Sequence, residues 1–313
     1  MSDRYKYLFG PVPSRRFGRS LGVDLLKPKT CSFDCVFCQL GRTTDKTVKR
    51  EEYVPTREVI AELEDWMAQQ MPTYFVTLAG SGEPTLHSRF GEVLDAAGGH
   101  DRFRTAVLTN GSLLSMPEVR ADAALADVVK ISLSAWDDQS LRRVNRPYPE
   151  IVFKEIVEGI REFRGMFGGE TWLEVFLVPG INARVEQVRR IQQIVAPLGF
   201  DLIQLNTAVR PPAEDTVSAV APDVMAELAA LFEPEAEVVA PYKGGQEGRF
   251  ADGEALIAGI LKRRPCSLED LAAVSGMHPN EVTKYLGKLV SDDRATRWER
   301  DGKVLFQWRE AQD

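Results

Sequence analysis

Six short apolar runs, at 21–26, 74–79, 105–109, 128–134, 172–178 and 202–206, mark the first two-thirds of this 313-residue chain. Helical patterns separate them, at 56–71, 90–97, 117–125, a broken region at 137–167, and 184–198. Thr56 and Glu58 read as a capping pair for the first helix. Parallel strands need a long crossover between them, and a helix of this length supplies it. The alternation therefore predicts βα units around a parallel sheet.

Polarity within the runs narrows the fold further. A parallel sheet covered on both faces gives nearly continuous apolar strands. In this chain Val129, Ile131 and Leu133 share one face, and Lys130, Ser132 and Ser134 share the other. Asp24 opposes Val23 and Leu25, Thr77 opposes Val76 and Leu78, and Glu174 opposes Leu173 and Val175. Gln204 and Asn206 oppose Ile203 and Leu205 in the same way. One face suits packing against helices and the other suits a polar interior. The expected class is α/β, a partial (β/α)6 TIM-like barrel with a polar lumen rather than a flat doubly wound sheet.

Composition changes at 241–253, PYKGGQEGRFADG, a glycine-rich linker. The expected domains are 1–240, a linker at 241–252, and 253–313. The last contains helices at 254–262 and 267–275, a break at Gly276, a helix at 279–289, and a hairpin across 295–308 turning at Asp301-Gly302. That pattern predicts a C-terminal winged helix-turn-helix. Residues 251–313 hold 10 basic and 11 acidic side chains, and the whole chain carries a formal charge of −7. Bulk electrostatic capture of nucleic acid is not expected. Local contact through Asn280, Thr283, Lys284 and Lys288 of the third helix remains open. No apolar run approaches the ~20 residues that span a bilayer, so no membrane partner is expected. The N-terminus lacks a secretory apolar segment, which predicts a cytoplasmic protein with reduced thiols.

Three of the four cysteines lie within eight positions, in CSFDCVFCQLG, residues 31–41. A structural zinc site closes with four ligands. Three thiolates on a four-iron, four-sulfur cluster leave one iron free. Cys31, Cys35 and Cys38 follow the first expected strand, at the barrel end where active sites are built.

CSFDCVFC resembles the signature of the radical S-adenosylmethionine (SAM) superfamily, CxxxCxΦC, with Phe37 as the aromatic position. AGSGEPTL (79–86) resembles its GGEP element, with Ser81 in place of the first glycine; LTNGSLL and VKISLSAWD follow in the expected order. The resemblance covers about residues 8–215 and implies a radical SAM barrel. It implies a 4Fe-4S cluster on Cys31, Cys35 and Cys38, whose free iron chelates the amino and carboxylate groups of SAM. Reductive cleavage would then give methionine and a 5′-deoxyadenosyl radical that abstracts hydrogen from a substrate. Carried over by motif, Gly82 and Glu83 meet the methionine amino group and Phe37 the adenine. Asn110, Ser132 and Ser134 face the ribose or carboxylate. The implied electron donor is a separate flavodoxin or ferredoxin.

FGPVPSRRFGRSLGVD and RRVNRPYP resemble the branch that contains the tRNA wyosine (demethylwyosine) synthases. Those synthases carry further upstream cysteines for a second cluster, and the thirty residues before Cys31 contain none. A single-cluster relative with another substrate is the expectation, with tRNA delivered by the winged helix as one form of it. A peptide or small-metabolite substrate is the second form. An iron–sulfur sensor with a DNA-binding winged helix is the third.

Individual residues carry paired readings. Lys130 is a candidate catalytic or substrate contact, or else the partner of Asp24 or Glu174 in an ion pair. Arg15, Arg16 and Arg19 form an anion clamp or a solvated turn. Trp136 stacks on a base, lines the mouth or packs in the core. His87 and Cys266 read as structural.

Overall fold

A computed structural model describes residues 5–14, 17–70, 73–208, 212–239, 253–262, 264–275, 277, 279–300 and 303–309. The chain begins with β1 (Leu8–Ser14), antiparallel to β2 (Gly18–Val23). Short strands β3 (Thr30–Cys31) and β4 (Asp45–Lys46) pair in parallel and frame the cysteine segment. Next come α1 (Thr56–Ala68), β5 (Phe75–Leu78), α2 (Phe90–Ala97), β6 (Arg104–Thr109), α3 (Pro117–Ala123) and β7 (Val128–Ser132). Then follow α4 (Asp138–Val144), α5 (Phe153–Met166), β8 (Glu170–Leu177), α6 (Val185–Val195), β9 (Leu202–Thr207), α7 (Pro222–Ala229) and β10 (Glu237–Val238).

The main sheet runs β1-β2-β5-β6-β7-β8-β9-β10, with every pair from β2 onward parallel. Its edges, β1 and β10, do not pair, so the sheet is incompletely closed among the described residues. All six expected strands are present. β1 was not expected, because GPVP lacks the alternation of a strand.

Leu21, Val76, Val107, Val129, Leu173 and Ile203 bury their side chains in one core with α1, α2, α5 and α6. The opposite face is polar in several strands and also carries an apolar patch that the alternation did not predict. Phe75, Ala106 and Val128 cluster there with Phe17, Leu108 and Trp172. Phe17 stacks on Trp172 with ring centroids 4.9 Å apart. This apolar floor removes aromatic area from water where the polar residues leave space. Ser20, Thr77, Lys130, Glu174, Gln204 and Asn206 complete the inner face as its buried polar part.

The cap of α1 also differs from expectation. Its N-cap is Pro55, which offers no side-chain hydrogen bond, and the Glu52 carboxylate accepts from the Thr56 N–H at 2.7 Å. A carboxylate before the first turn satisfies an orphan donor and faces the positive end of the helix.

The C-terminal part holds α8 (Gly253–Leu261), β11 (Cys266–Ser267), α9 (Leu268–Ser275), α10 (Pro279–Ser291), β12 (Ala295–Arg300) and β13 (Lys303–Trp308). β11-β13-β12 form a three-stranded antiparallel sheet, where the sequence predicted two strands. Cys266 pairs with Phe306 in this sheet and is fully buried in the local core. α8 and α9 lie beside β1. Linker 241–252, Gly276 and Asp301-Gly302 lie outside the described residues. No helix among the described residues is long and apolar enough to cross a membrane.

His87 is fully buried. Its Nε2–H donates to the Val54 carbonyl at 2.9 Å, and its Nδ1 accepts from the Arg89 N–H at 3.2 Å. Burial lowers its pKa from the ordinary 6.5. The unfolded chain therefore takes up a proton on acidification that the folded chain refuses, and folding stability falls with pH. Urea midpoints at about pH 7.5 and about pH 5.5 are expected to decline in that order, and His87→Gln is expected to flatten the decline.

Candidate functional site

The segment between β2 and β4 carries the three cysteines, all half-buried. Gly82, after β5, lies directly against β3 in a parallel bridge to Thr30. A Cβ at Gly82 would collide with the Thr30 carbonyl oxygen, so glycine is required by this close approach. The neighbouring Glu83 N–H donates to the same oxygen at 3.2 Å.

The Glu83 carboxylate is 2% exposed. Oε1 accepts from Thr85 N–H (3.2 Å), Thr85 Oγ1 (2.7 Å) and Thr109 Oγ1 (2.7 Å), and Oε2 accepts from Asn110 N–H at 2.7 Å. Burial outweighs these donors and raises its pKa. Glu83 thus joins the loop after β5 to the end of β6.

Asn110 extends the network to the cysteines. Its Nδ2 donates to Ser32 Oγ at 2.8 Å and lies 3.7 Å from Cys31 Sγ. Burial and, next, the Glu83 carboxylate push the Cys31 thiol up to about 12. Cys35 rises through burial and its neighbours Cys31 and Cys38, and Cys38 rises through burial. Three thiols held this close stay protonated unless a cation compensates their ionisation.

Phe37 stacks on Phe176 with centroids 4.0 Å apart and planes within 7°. Ser132 is half-buried at the inner end of β7. Ser134 accepts from the Phe176 N–H at 2.8 Å, so its hydroxyl ties β7 to β8. Lys130 and Glu174 form a close ion pair on the inner face, with side-chain exposures of 2% and 11%. Asp24 instead accepts from Ser81 N–H and Ser81 Oγ, at 3.0 and 2.6 Å. Trp136 lies under the Arg190 guanidinium at 5.2 Å. Arg15 and Arg16 lie outside the described residues, and Arg19 is half-buried.

Two sets of residues escaped the sequence reading. Gln204 Oε1 and Asn206 Nδ2 are buried and have no hydrogen-bond partner. The alternation of β9 marked both as inward-facing but gave neither a role. Asn145 Nδ2 lies 3.2 Å from Cys35 Sγ. Its motif, RRVNRPYP, was noticed only as a resemblance.

The sequence profile described as "Radical SAM superfamily" matches residues 27–190, more than half of the chain, from the cysteine segment through Glu83, Asn110, Asn145 and Phe176. The chain belongs to the radical SAM superfamily. The match to the catalytic domain of these SAM-cleaving, radical-generating proteins classes it as a radical SAM enzyme. A UPF0026 protein of Methanocaldococcus jannaschii is 30% identical over 95% of this chain and 94% of its own length. A protein of Brachyspira hyodysenteriae named GTPase Obg is 32% identical over 92% of this chain, which spans only 43% of that protein. A radical SAM methyltransferase from Sphaerobacter thermophilus shares the fold, with a TM-score of 0.51 at 16% identity, over 70% of this chain and 65% of that structure.

Radical SAM proteins typically pair SAM with a 4Fe-4S cluster, and the donor set here suits one. Three thiols share a loop, and amide donors stand at Cys31 and Cys35. Among the described residues, no three metal-ligating side chains are gathered as for a single metal ion. A cubane distributes its thiolates over separate irons and asks for wider spacing than a tetrahedral ion does.

The Lys130–Glu174 pair generates a double-mutant test. Lys130→Met or Glu174→Leu alone is expected to cost ~3–5 kcal/mol by breaking a buried ion pair from one side. The double variant is expected to recover most of that loss in chemical denaturation.

Proposed function

We propose that Cys31, Cys35 and Cys38 hold a 4Fe-4S cluster and that the protein cleaves SAM reductively to act on a substrate at the inner face. A cluster held by these three thiolates would supply the electron for reductive cleavage of SAM, the source of a radical that would abstract hydrogen from the substrate. Flavodoxin or ferredoxin is the electron source. The catalytic unit is 1–240, joined through 241–252 to a winged helix-turn-helix at 253–313.

What carries the reading is one continuous contact set, Gly82 on Thr30 and Glu83 on Asn110, with Asn110 reaching the cysteine loop. It brings an acidic group within electrostatic reach of Cys31. Glu83 Oε2 receives one N–H on the protein side and is the oxygen assigned to the ammonium of SAM. An ammonium there compensates the buried negative charge. Phe37 is assigned to the adenine, and Asn110 and Ser132 to the ribose or carboxylate. Ser134 is assigned to orientation of β8, given its bond to Phe176.

The unpartnered Gln204 Oε1 and Asn206 Nδ2 supply an acceptor and a donor for substrate, beside Lys130 and Glu174. An unsatisfied buried polar group costs ~1–3 kcal/mol, which a ligand with matching groups recovers. We assign the substrate to an RNA nucleoside, as in the wyosine-synthase branch, oriented by the winged helix. The missing upstream cysteines separate it from the pyruvate-dependent reaction of that branch.

A second reading takes a peptide or small metabolite as substrate. One observation favours it: Lys288 on α10 is ion-paired with Glu254 at 2.6 Å, which reduces the basic surface offered to a nucleic acid. Thr283 is exposed, but its hydroxyl donates to the Pro279 carbonyl at 2.9 Å. Lys284 is exposed, and the side chain of Asn280 lies outside the described residues.

Anaerobically reconstituted protein with SAM and dithionite is expected to release 5′-deoxyadenosine. Glu83→Ala is expected to reduce that release by ~10–100-fold, as loss of a positioned charge contact does. Cys35→Ala is expected to reduce it to background. A zinc-loaded product, or a cluster whose EPR spectrum ignores SAM, would sink the assignment. RNA co-purifying at low salt supports the nucleoside substrate, and its absence favours the second reading.

A further inference from the structure

Residues 144–148 run antiparallel to the loop that carries the first two cysteines. The Val36 N–H donates to the Val144 carbonyl (3.0 Å), Asp34 N–H to the Asn145 carbonyl (2.9 Å), and Tyr148 N–H to the Ser32 carbonyl (2.8 Å). Phe33 and Pro147 form an antiparallel bridge between them. The backbone of the loop between Cys31 and Cys35 is thus held by a segment more than a hundred positions away. Charged groups secure both sides. Glu214 takes Arg42 at 2.7 Å and also pairs closely with Arg146, while Arg42 pairs with Asp34 at 2.6 Å.

Within this strap Asn145 is 5% exposed and closes the C-terminal end of α4. Its Nδ2 faces Cys35 Sγ at 3.2 Å, and its Oδ1 is buried without a hydrogen-bond partner. The carboxamide has therefore spent its one donor contact on sulfur and left its acceptor unused. That arrangement is unfavourable for a neutral thiol, which is a weak acceptor, and favourable for a thiolate.

We propose that Asn145 is a positioning residue that donates an N–H to the Cys35 thiolate and raises the reduction potential of the cluster. The inference rests on the cluster reading above. An N–H directed at a ligand sulfur stabilises the electron-rich state more than the oxidised one, since added negative charge spreads onto the sulfurs. Cys35 receives the shorter of the two carboxamide contacts, against 3.7 Å for Asn110 on Cys31. Its removal should therefore act at one corner of the site without disturbing Glu83.

The test compares full-length, anaerobically reconstituted wild type with Asn145→Leu and Asn145→Asp. Iron per chain and thermal midpoint are read first, then the EPR-detected ratio of reduced to oxidised cluster at a fixed solution potential. Asn145→Leu, which keeps the branching at Cγ and loses the donor, is expected to hold wild-type iron and lower that ratio by roughly threefold or more. Asn145→Asp, which turns an acceptor and a negative charge toward the sulfur, is expected to lower it further. If the leucine variant does not fold, the isosteric aspartate variant decides alone. An unchanged or increased ratio in the variant that decides overturns the proposal. A wild type that takes up no iron–sulfur cluster overturns both the proposal and the cluster reading, whereas a loaded, SAM-responsive wild type with unshifted variants overturns this proposal only.

Discussion

The Glu83 carboxylate is the point on which the site depends. It is buried at the end of the inner face and accepts from the backbone and side chains of two separate segments. Without it, the loop after β5 and the end of β6 would lose a common anchor. The raised pKa states the cost: four donors do not fully replace water around a carboxylate at this depth. A neighbouring cation would offset that cost for the charged form. The same burial that strains Glu83 also raises the thiols nearby, so carboxylate and cysteines share one demand for positive charge.

The sheet makes this possible by dividing its two faces between stability and chemistry. On the outer face, strands and helices form one continuous apolar core. The inner face has an aromatic floor at Phe17, Phe75 and Trp172 and a second apolar cluster at Phe176 and Phe37, with buried polar side chains between them. Register accounts for the neighbours: Ser132 stands beside Glu174, Glu174 beside Gln204, and Phe176 beside Asn206. A one-residue slip in any of these strands would turn the polar set outward and bury it against helices. The apolar outer face therefore fixes the polar inner one.

Legibility from sequence follows the range of the interaction. The six strands were readable because period-2 alternation is local, and so were the motifs at Cys31, Glu83 and Asn110. β1 was not, since its pairing with β2 passes through Gly10 and Pro11 with a shift of register between Phe9 and Val12. The cap on α1 was misread because the carboxylate that serves it, Glu52, stands four residues before Thr56 rather than within the first turn. Ser134 faces inward as its alternation implies, yet its hydroxyl is taken by the Phe176 N–H. Pattern gives the direction of a side chain but not its partner.

The strap at 144–148 is the extreme case of that distinction. Nothing local in NRPYP marks it as part of a thiol site, because its backbone partners and Cys35 lie about 110 positions earlier. Its sequence nevertheless explains the geometry. Arg146 takes a left-handed backbone conformation at φ 46°, which turns the chain out of α4, and Pro147 then favours extended backbone beside Phe33. The turn is strained for a non-glycine residue and is held by the Arg146–Glu214 ion pair. Glu214 also reaches Arg42, so the segment after β9 and the segment after α4 close on the cysteine loop together. The loop that carries the thiols is thus fixed by tertiary contacts from the segments after β5, β6, α4 and β9, which is what three ligands need if they are to hold a cluster and leave one corner exposed.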